Sequence, residues 1–372
     1  MTRHLTRRAE EAVLGAALLR PELLPSLRWI PPGTFSRADH AALWRVLHSL
    51  DLSAVPVRRV THSWSGPAPV AYRDMPTAVN RAVADLEPGI RATLTPPHLA
   101  ELAGSCPNPG TAPLYGGMTV ESAIHRAVED AGGKLRDTAR RTDIGRAPEA
   151  LALGEQTGER LSALGRAWAS VPEPVRAQLD APTEATVTPP DHERARVDRE
   201  AESSTVASLL YQPAQLREIP WLSEQDFTDT ELASTFSAMR RLDARGAPVD
   251  PLTVAWEAAR RPGHSLSDRA LQDLERAGQS GQAAFTGEQV LRTAALDRLD
   301  KTGGDLRTYA LHPALAPTGL LDHAGRALGP LSHDRERVMH AEHGSELAPA
   351  DAEPAPPARQ PPALDYEMEM DL

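Results

Sequence analysis

Glu10-Glu11-Ala12-Val13-Leu14-Gly15-Ala16-Ala17-Leu18-Leu19-Arg20-Pro21 opens a segment that runs to Trp64 and recurs, residue for residue and without a gap, from Glu202 to Trp256. Pro21 falls on Pro213, Trp29 on Trp221, Phe35 on Phe227, Leu50 and Asp51 on Leu242 and Asp243, Pro56 and Val57 on Pro248 and Val249, Thr61 on Thr253, and Trp64 on Trp256. About a quarter of the aligned positions are identical. The shared residues are mostly large apolar anchors and prolines, so what repeats is a core, and the sequence sets out two related domains in tandem.

Within each copy the pattern is helical. Val13, Leu14, Ala17 and Leu18 form one apolar stripe and predict a helix from Arg7 to Leu19, with Thr205, Val206, Leu209 and Leu210 as counterparts. Pro21 and Pro213 suit the first turn of a short following helix, and Trp29-Ile30-Pro31-Pro32 breaks it. Ser36-x-x-Asp39, aligned with Thr228-x-x-Glu231, reads as a capping box for a third helix that buries Leu43, Val46, Leu47 and Leu50, or Phe236, Met239 and Leu242. Pro56-Val57 and Pro248-Val249 lead into another helix, which Asp250-Pro251 caps well and Arg58-Arg59 starts weakly.

Past Trp64 the first copy inserts Ser65-Gly66-Pro67-Ala68-Pro69 and more, and the copies rejoin at Leu94-Thr95 and Leu266-Ser267, ahead of Leu99 and Leu102 or Leu271 and Leu274. Long helices follow from Thr111 to Arg141 and from Thr286 to Tyr309, with Tyr115 and Val120 set against Phe285 and Val290. Gly132-Gly133-Lys134-Leu135-Arg136 matches Gly303-Gly304-Asp305-Leu306-Arg307 after a one-residue shift. Glycine inside a helix costs about 1 kcal/mol relative to alanine, which predicts a kink or an end at each pair. A last helix, Pro148 to Trp168 or Pro317 to Leu328, folds back to make a hairpin.

The expected architecture is therefore all-α: two tandem small helical-bundle domains, each with a C-terminal helical hairpin. They span residues 1–170 and 199–340. Residues 171–198, with Pro172, Pro174, Pro182, Pro189 and Pro190, read as a linker that as a flexible coil would span about 30 Å. Residues 341–372 read as a disordered acidic tail, too poor in apolar residues to offset its ordering entropy, with an alternating end from Leu364 to Leu372.

Composition excludes several classes. The 372-residue chain is 41% hydrophobic and 4% aromatic, contains no long apolar run, and has a single cysteine, Cys106, so no internal disulfide or multi-cysteine metal site is open to it. A cytoplasmic location is the expectation. The net charge of −11 is uneven: residues 341–372 hold eight acids against one arginine. A nucleic-acid groove needs clustered cations, and the basic cluster Arg3, Arg7 and Arg8 reads as a short N-terminal arm, so direct DNA binding stays open. His40 and His48 lie on one helical face without an apparent third ligand and are expected to be exposed, as are His333, His340 and His343 at the edge of the tail.

The order of these features resembles a known family. Ala9-Glu10-x-x-Val13-Leu14-Gly15, then Leu18-Leu19-x-Pro21-Glu22, then Phe35 before a capped helix, is similar to the opening of the N-terminal domain of the bacterial replicative DNA helicase, DnaB. Ala244-Arg245-Gly246-Ala247-Pro248-Val249-Asp250-Pro251-Leu252-Thr253-Val254 resembles that domain's link between its third and fourth helices. Leu99-Ala100-Glu101-Leu102 and Tyr115-x4-Val120-Glu121-x4-Arg126 resemble the stretch leading into its hairpin. The resemblance covers most of Arg8 to Trp168 and Glu200 to Leu328. It implies an all-helical globule plus hairpin that pairs with neighbours, forms a collar on the helicase ring and docks primase, whereas a separate RecA-like motor hydrolyses ATP.

No such motor is legible in this sequence. Gly132-Gly133-Lys134-Leu135 lacks the upstream glycine and the hydroxyl residue of a phosphate-cradling loop, and Lys301-Thr302 follows Asp300. Nor does the chain contain H-E-x-x-H, G-x-S-x-G or G-x-G-x-x-G, so no catalytic, cofactor-binding or metal residues and no cofactor are assigned. Two function classes remain. One is a non-catalytic scaffold or regulator in DNA replication that binds a replicative helicase, primase or itself, with no membrane partner. The other is a duplicated helical domain repurposed for regulation or for DNA binding through the basic arm.

Overall fold

The structure is a computed structural model and describes residues 3–60, 70–83, 86–180, 187–190, 192, 194, 196–260, 272 and 282–346. Helix α1 (Arg3–Leu19) runs into a 3-10 segment at Pro21–Leu27 and a 3-10 turn at Pro32–Thr34, then α2 (Ala38–Ser49). A two-stranded antiparallel ribbon, β1 (Val57–Val60) with β2 (Val70–Arg73), precedes α3 (Met75–Ala82), α4 (Pro88–Thr93) and α5 (Pro96–Gly104). The first hairpin is α6 (Ala112–Arg141) and α7 (Ala147–Ala169), followed by a short α8 (Glu173–Leu179). The second half runs through α9 (Arg199–Tyr211), 3-10 turns at Pro213–Arg217 and Glu224–Asp226, α10 (Thr230–Ala244), α11 (Pro251–Ala259), and the hairpin α12 (Ala283–Leu311) and α13 (Pro317–Glu346). The all-α expectation holds, the ribbon being its one departure among the described residues.

The repeated anchors occupy repeated places. Leu24, Leu27 and Ile30 are buried as Leu216, Ile219 and Leu222 are, and Leu47 as Met239. Phe35 packs on Trp44 with ring centroids 5.5 Å apart, and Phe227 on Phe236 at 5.1 Å. Thr95 caps α5 over the buried Leu99 and Leu102, as the sequence indicates, whereas Leu266, Ser267, Leu271 and Leu274 lie outside the described residues.

The start of the third helix is built differently from the expected capping box. Ser36 makes no side-chain cap; its N–H donates to Oε1 of the buried Glu10 at 2.7 Å. In the second half Glu202 accepts from Thr228 N at 2.8 Å, from the Thr228 hydroxyl at 2.5 Å and from Asp229 N at 3.1 Å, while Asp229 rather than Thr228 caps α10. A carboxylate 26 residues upstream thus satisfies the orphan donors that a local hydroxyl was expected to take. The fourth helix also departs from expectation. Asp250 caps α11 reciprocally with Thr253, but Arg58-Arg59 lies in β1, and the helix of the first half waits for Asp74, which caps α3 and returns to Pro56 through a 2.9 Å backbone bond. The insertion therefore precedes that helix, and Trp64 is outside the described residues.

The paired glycines do not end their helices, which run on through them. A Cβ built on Gly132 would stand 2.6 Å from the Gly303 carbonyl oxygen and 2.8 Å from Arg307 Cγ; one on Gly303 would stand 2.6 Å from the Gly132 carbonyl and from Arg136 Cγ. Antiparallel α6 and α12 cross here backbone against backbone, which only a missing side chain permits. The same spacing relates Gly116, against Trp29 and Ile30, to Gly287, against Trp221 and Leu222. So no one-residue shift is needed, and Tyr115 does not correspond to Phe285, which is 59% exposed.

Each long helix also holds the turn of the other hairpin. Arg292 on α12 donates to the carbonyls of Ile144 and Gly145 between α6 and α7, at 3.4 and 2.9 Å. His125 on α6 faces the carbonyls of Ala310 and Leu315 between α12 and α13, at 2.7 and 3.1 Å. Burial pushes the His125 ring pKa down against the pull of those two carbonyls. Helices α7 and α13 close the outer layer, with Leu331 over Gly154 and Arg335 on Glu155 at 2.7 Å.

Two further expectations are corrected. The described part of 171–198 is packed rather than free: Val175 and Leu179 of α8 lie against Gly117, Val187 is buried, and Arg196 donates to the Arg140 and Thr142 carbonyls at 3.0 and 2.8 Å. Helix α13 runs six residues into the expected tail, with Ala341 buried; residues 347–372 lie outside the described residues.

The crossing carries a testable consequence. Gly132→Ala should lower folding stability by about 1–3 kcal/mol by overpacking backbone, whereas Gly133→Ala, with open space around its Cβ, should be neutral or gain up to about 1 kcal/mol. Urea denaturation midpoints of the two variants check this.

Candidate interaction surfaces

Helix α11 is short, and its cap decides which face it shows. Asp250 Oδ1 accepts the N–H groups of Leu252 and Thr253 at 2.9 and 3.0 Å, and the Thr253 hydroxyl accepts Asp250 N–H at 3.1 Å. With the start fixed, Val254 and Ala258 turn inward while Leu252 and Trp256, four residues apart, share the outer face at 74% and 70% exposure. Glu257 beneath them accepts from Arg241 at 3.0 Å and Arg245 at 2.8 Å, with Arg260 at 3.7 Å. Those hydrogen bonds, Arg245's first, hold its carboxyl below the usual range. An exposed indole beside fixed arginines is a pairing of residue types in which binding hot spots are enriched.

The junction of the second globule with its hairpin is charged and closed. Asp226, in the turn before α10, pairs with Arg298 of α12 at 3.0 Å and with Arg337 of α13, and Asp334 takes both arginines at 2.7 and 3.2 Å. The two carboxylates outweigh burial and raise the Arg298 pKa. Across the hairpins Asp300 is buried between Arg136 at 3.3 Å and Arg140 at 2.9 Å. These arginines are spent on the fold rather than offered to a phosphate backbone.

Several residues singled out in the sequence land elsewhere than expected. Arg3, Arg7 and Arg8 belong to α1 and are no free arm; Arg7 pairs with Glu11 at 2.6 Å. His40 is fully buried, not exposed, and His48 is half-buried edge-on against Trp44. The structure sets His40 beside Asp39 and His98 instead of His48. His333, His340 and His343 are exposed as expected, though on α13 rather than at a tail border. Gly132-Gly133-Lys134-Leu135 and Lys301-Thr302 lie inside α6 and α12, where the helix already uses their backbone N–H groups; Lys301 pairs with Asp305 at 2.8 Å. Sequence reading missed the outward Leu252 and Trp256, because Trp256 looked like a shared core anchor.

One half-buried acid, Glu121, sits on the α6 face covered by α8. Burial, and after it the charge of Asp180, pushes the Glu121 carboxyl from 4.5 to about 7. Asp180 is itself engaged by Trp168 Nε1 and Thr318.

Residues 194–284 match the family model of the DnaB-like helicase N terminal domain. No curated protein and no solved structure matches the chain. Among the described residues no helix is long and apolar enough to cross a membrane.

Because the folded-state pKa of Glu121 is raised, folding takes up a proton between 4.5 and about 7, and stability is lost as pH rises through that window. Glu121→Gln should therefore raise the melting temperature at pH 8 by roughly 2–4 °C and leave it unchanged at pH 4. Thermal melts of both proteins across pH measure this directly.

Proposed function

We propose that this chain is a non-catalytic scaffold or regulator of DNA replication, in which two DnaB-N-terminal-like domains, residues 1–170 and 199–340, are joined through 171–198 and fold as an internal pair. The observation that carries the reading is the family match at residues 194–284, set beside a first half with the same order of anchors and hairpin. The reciprocal contacts support the pairing: Gly132 on Gly303, Arg292 on the first turn, His125 on the second. A pair formed within one chain has no need of a neighbour's hairpin, so it acts as a finished module that presents its globules to a partner.

The partner in this reading is a replicative helicase or primase, and self-association is its third form. Leu252 and Trp256 supply the contact on the second globule. The other reading, regulation or DNA binding through Arg3, Arg7 and Arg8, draws less support because those residues begin a helix whose buried face packs into the core.

The test is titration of the purified full chain against a DnaB-type helicase and its primase by calorimetry, with sedimentation to follow self-association. One of the three should bind. Trp256→Ala should weaken that binding at least about tenfold, a loss of some 1.4 kcal/mol, while leaving the melting temperature within a degree or two. Absence of all three interactions, or salt-dependent DNA binding that disappears with Arg7→Ala and Arg8→Ala, overturns the proposal in favour of the other reading.

A further inference from the structure

The first half contains a cluster with no counterpart among the described residues of the second. Asp39 and His40 open α2, His98 lies in the first turn of α5, and one ligand atom from each falls within 4.8 Å of the others. His40 is fully buried, and its Nδ1 sits 2.9 Å from Glu10 Oε2. An ionised carboxylate can only accept, so Nδ1 carries the proton and, in the neutral ring, Nε2 presents its lone pair. That Nε2 is buried and has no hydrogen-bond partner among the described residues. His98 is held more loosely: its Nδ1 lies 3.5 Å from the exposed Glu101 carboxylate, and its buried Nε2 is also without a hydrogen-bond partner among the described residues.

Two imidazoles, each with a carboxylate behind Nδ1 and a bare Nε2 in front, are oriented as metal ligands are oriented by their outer partners. A buried polar atom left unsatisfied costs stability and is rare in a folded core. The duplication supplies an internal control. In the sequence alignment Leu232 matches His40. The start of α10 therefore does not require a histidine, and Glu202 is satisfied without one, by backbone N–H groups and the Thr228 hydroxyl.

We propose that Asp39, His40 and His98 form a binding site for a divalent transition cation of the zinc class, through His40 Nε2, His98 Nε2 and a carboxylate oxygen of Asp39, with water in the remaining position. The nitrogen and oxygen donors suit zinc. Tetrahedral ligands about 2.1 Å from a metal are about 3.4 Å apart, so a modest inward movement, available to the rim residue His98, completes the site. Asp39 Oδ2 accepts one hydrogen bond, from Arg37 Nη2 at 2.6 Å, and keeps a lone pair to give. Asp39 and Glu10 together offset the charge of the cation at the positive end of α2. The bound cation would clasp α5 to the start of α2, a helix start with no side-chain cap of its own.

The experiment uses the full chain, freed of metal by chelation. It is titrated with Zn2+ against a chromophoric chelator and with Co2+ followed by its visible absorption. Wild type should take up one tight equivalent, with the intense bands of a four-coordinate site, and melt at higher temperature with Zn2+. His98→Ala, at the rim and so tolerated by the fold, should lose that equivalent, its bands and its thermal shift. His40→Leu, the residue of the second half, should do the same. His48→Ala and His333→Ala should keep all three. A wild-type chain that takes up no tight equivalent, or a His98→Ala chain that keeps it, overturns the site and assigns any residual binding to surface histidines.

Discussion

Backbone contact between Gly132 and Gly303 is the constraint on which the remaining architecture depends. Two helices of about thirty residues can cross this closely only where neither carries a side chain, and the crossing fixes the register of everything beside it. Once Gly132 meets Gly303, His125 reaches the Ala310 carbonyl and Arg292 reaches the Gly145 carbonyl. Asp300 is then enclosed by Arg136 and Arg140. Helices α7 and α13 follow as the outer layer because their turns are already held. The glycine penalty that argues for a break in an isolated helix is offset here by packing that no isolated helix has.

The two globules show how one frame takes different chemistry. Glu10 and Glu202 do the same structural work, accepting the N–H groups just before the third helix. Around Glu202 the acceptor is filled by backbone and a threonine hydroxyl, whereas around Glu10 one oxygen is left for His40. At this matched position the second half has Leu232 and the first has His40, which takes the remaining Glu10 oxygen. The outward face diverges as well: the second half shows Leu252 and Trp256 on a well-capped α11, while the first puts a strand where that cap would stand and begins its helix at Asp74.

Much of the helical pattern was legible because it rests on local rules. The stripe of Val13, Leu14, Ala17 and Leu18, the Asp250-Pro251 start, the Thr95 cap and the first hairpin appear where period and capping place them, while the last helix of the second hairpin starts at Pro317 as expected and runs 18 residues past Leu328. What misled was long-range. Ser36 and Asp39 satisfy the letter of a capping box, but Glu10 reaches the donor first. Proline-rich 171–198 reads as free coil, yet the apolar Val175, Leu179 and Val187 find a surface on the hairpins. His40 looks like a surface residue on a polar side of α2 until α1 supplies its partner.

Sequence by itself determined the helical class and the matched apolar anchors, and it pointed to a helicase N-terminal domain, a likeness that the family match bears out for residues 194–284. These follow from periodicity, caps and composition, all properties of neighbouring residues. Only the tertiary structure decided which glycines are crossing points, which arginines are spent within the fold, which tryptophan faces solvent, and that Asp39, His40 and His98 share one place. Those outcomes depend on residues far apart in the chain arriving at the same point, and nothing in local spacing encodes that arrival.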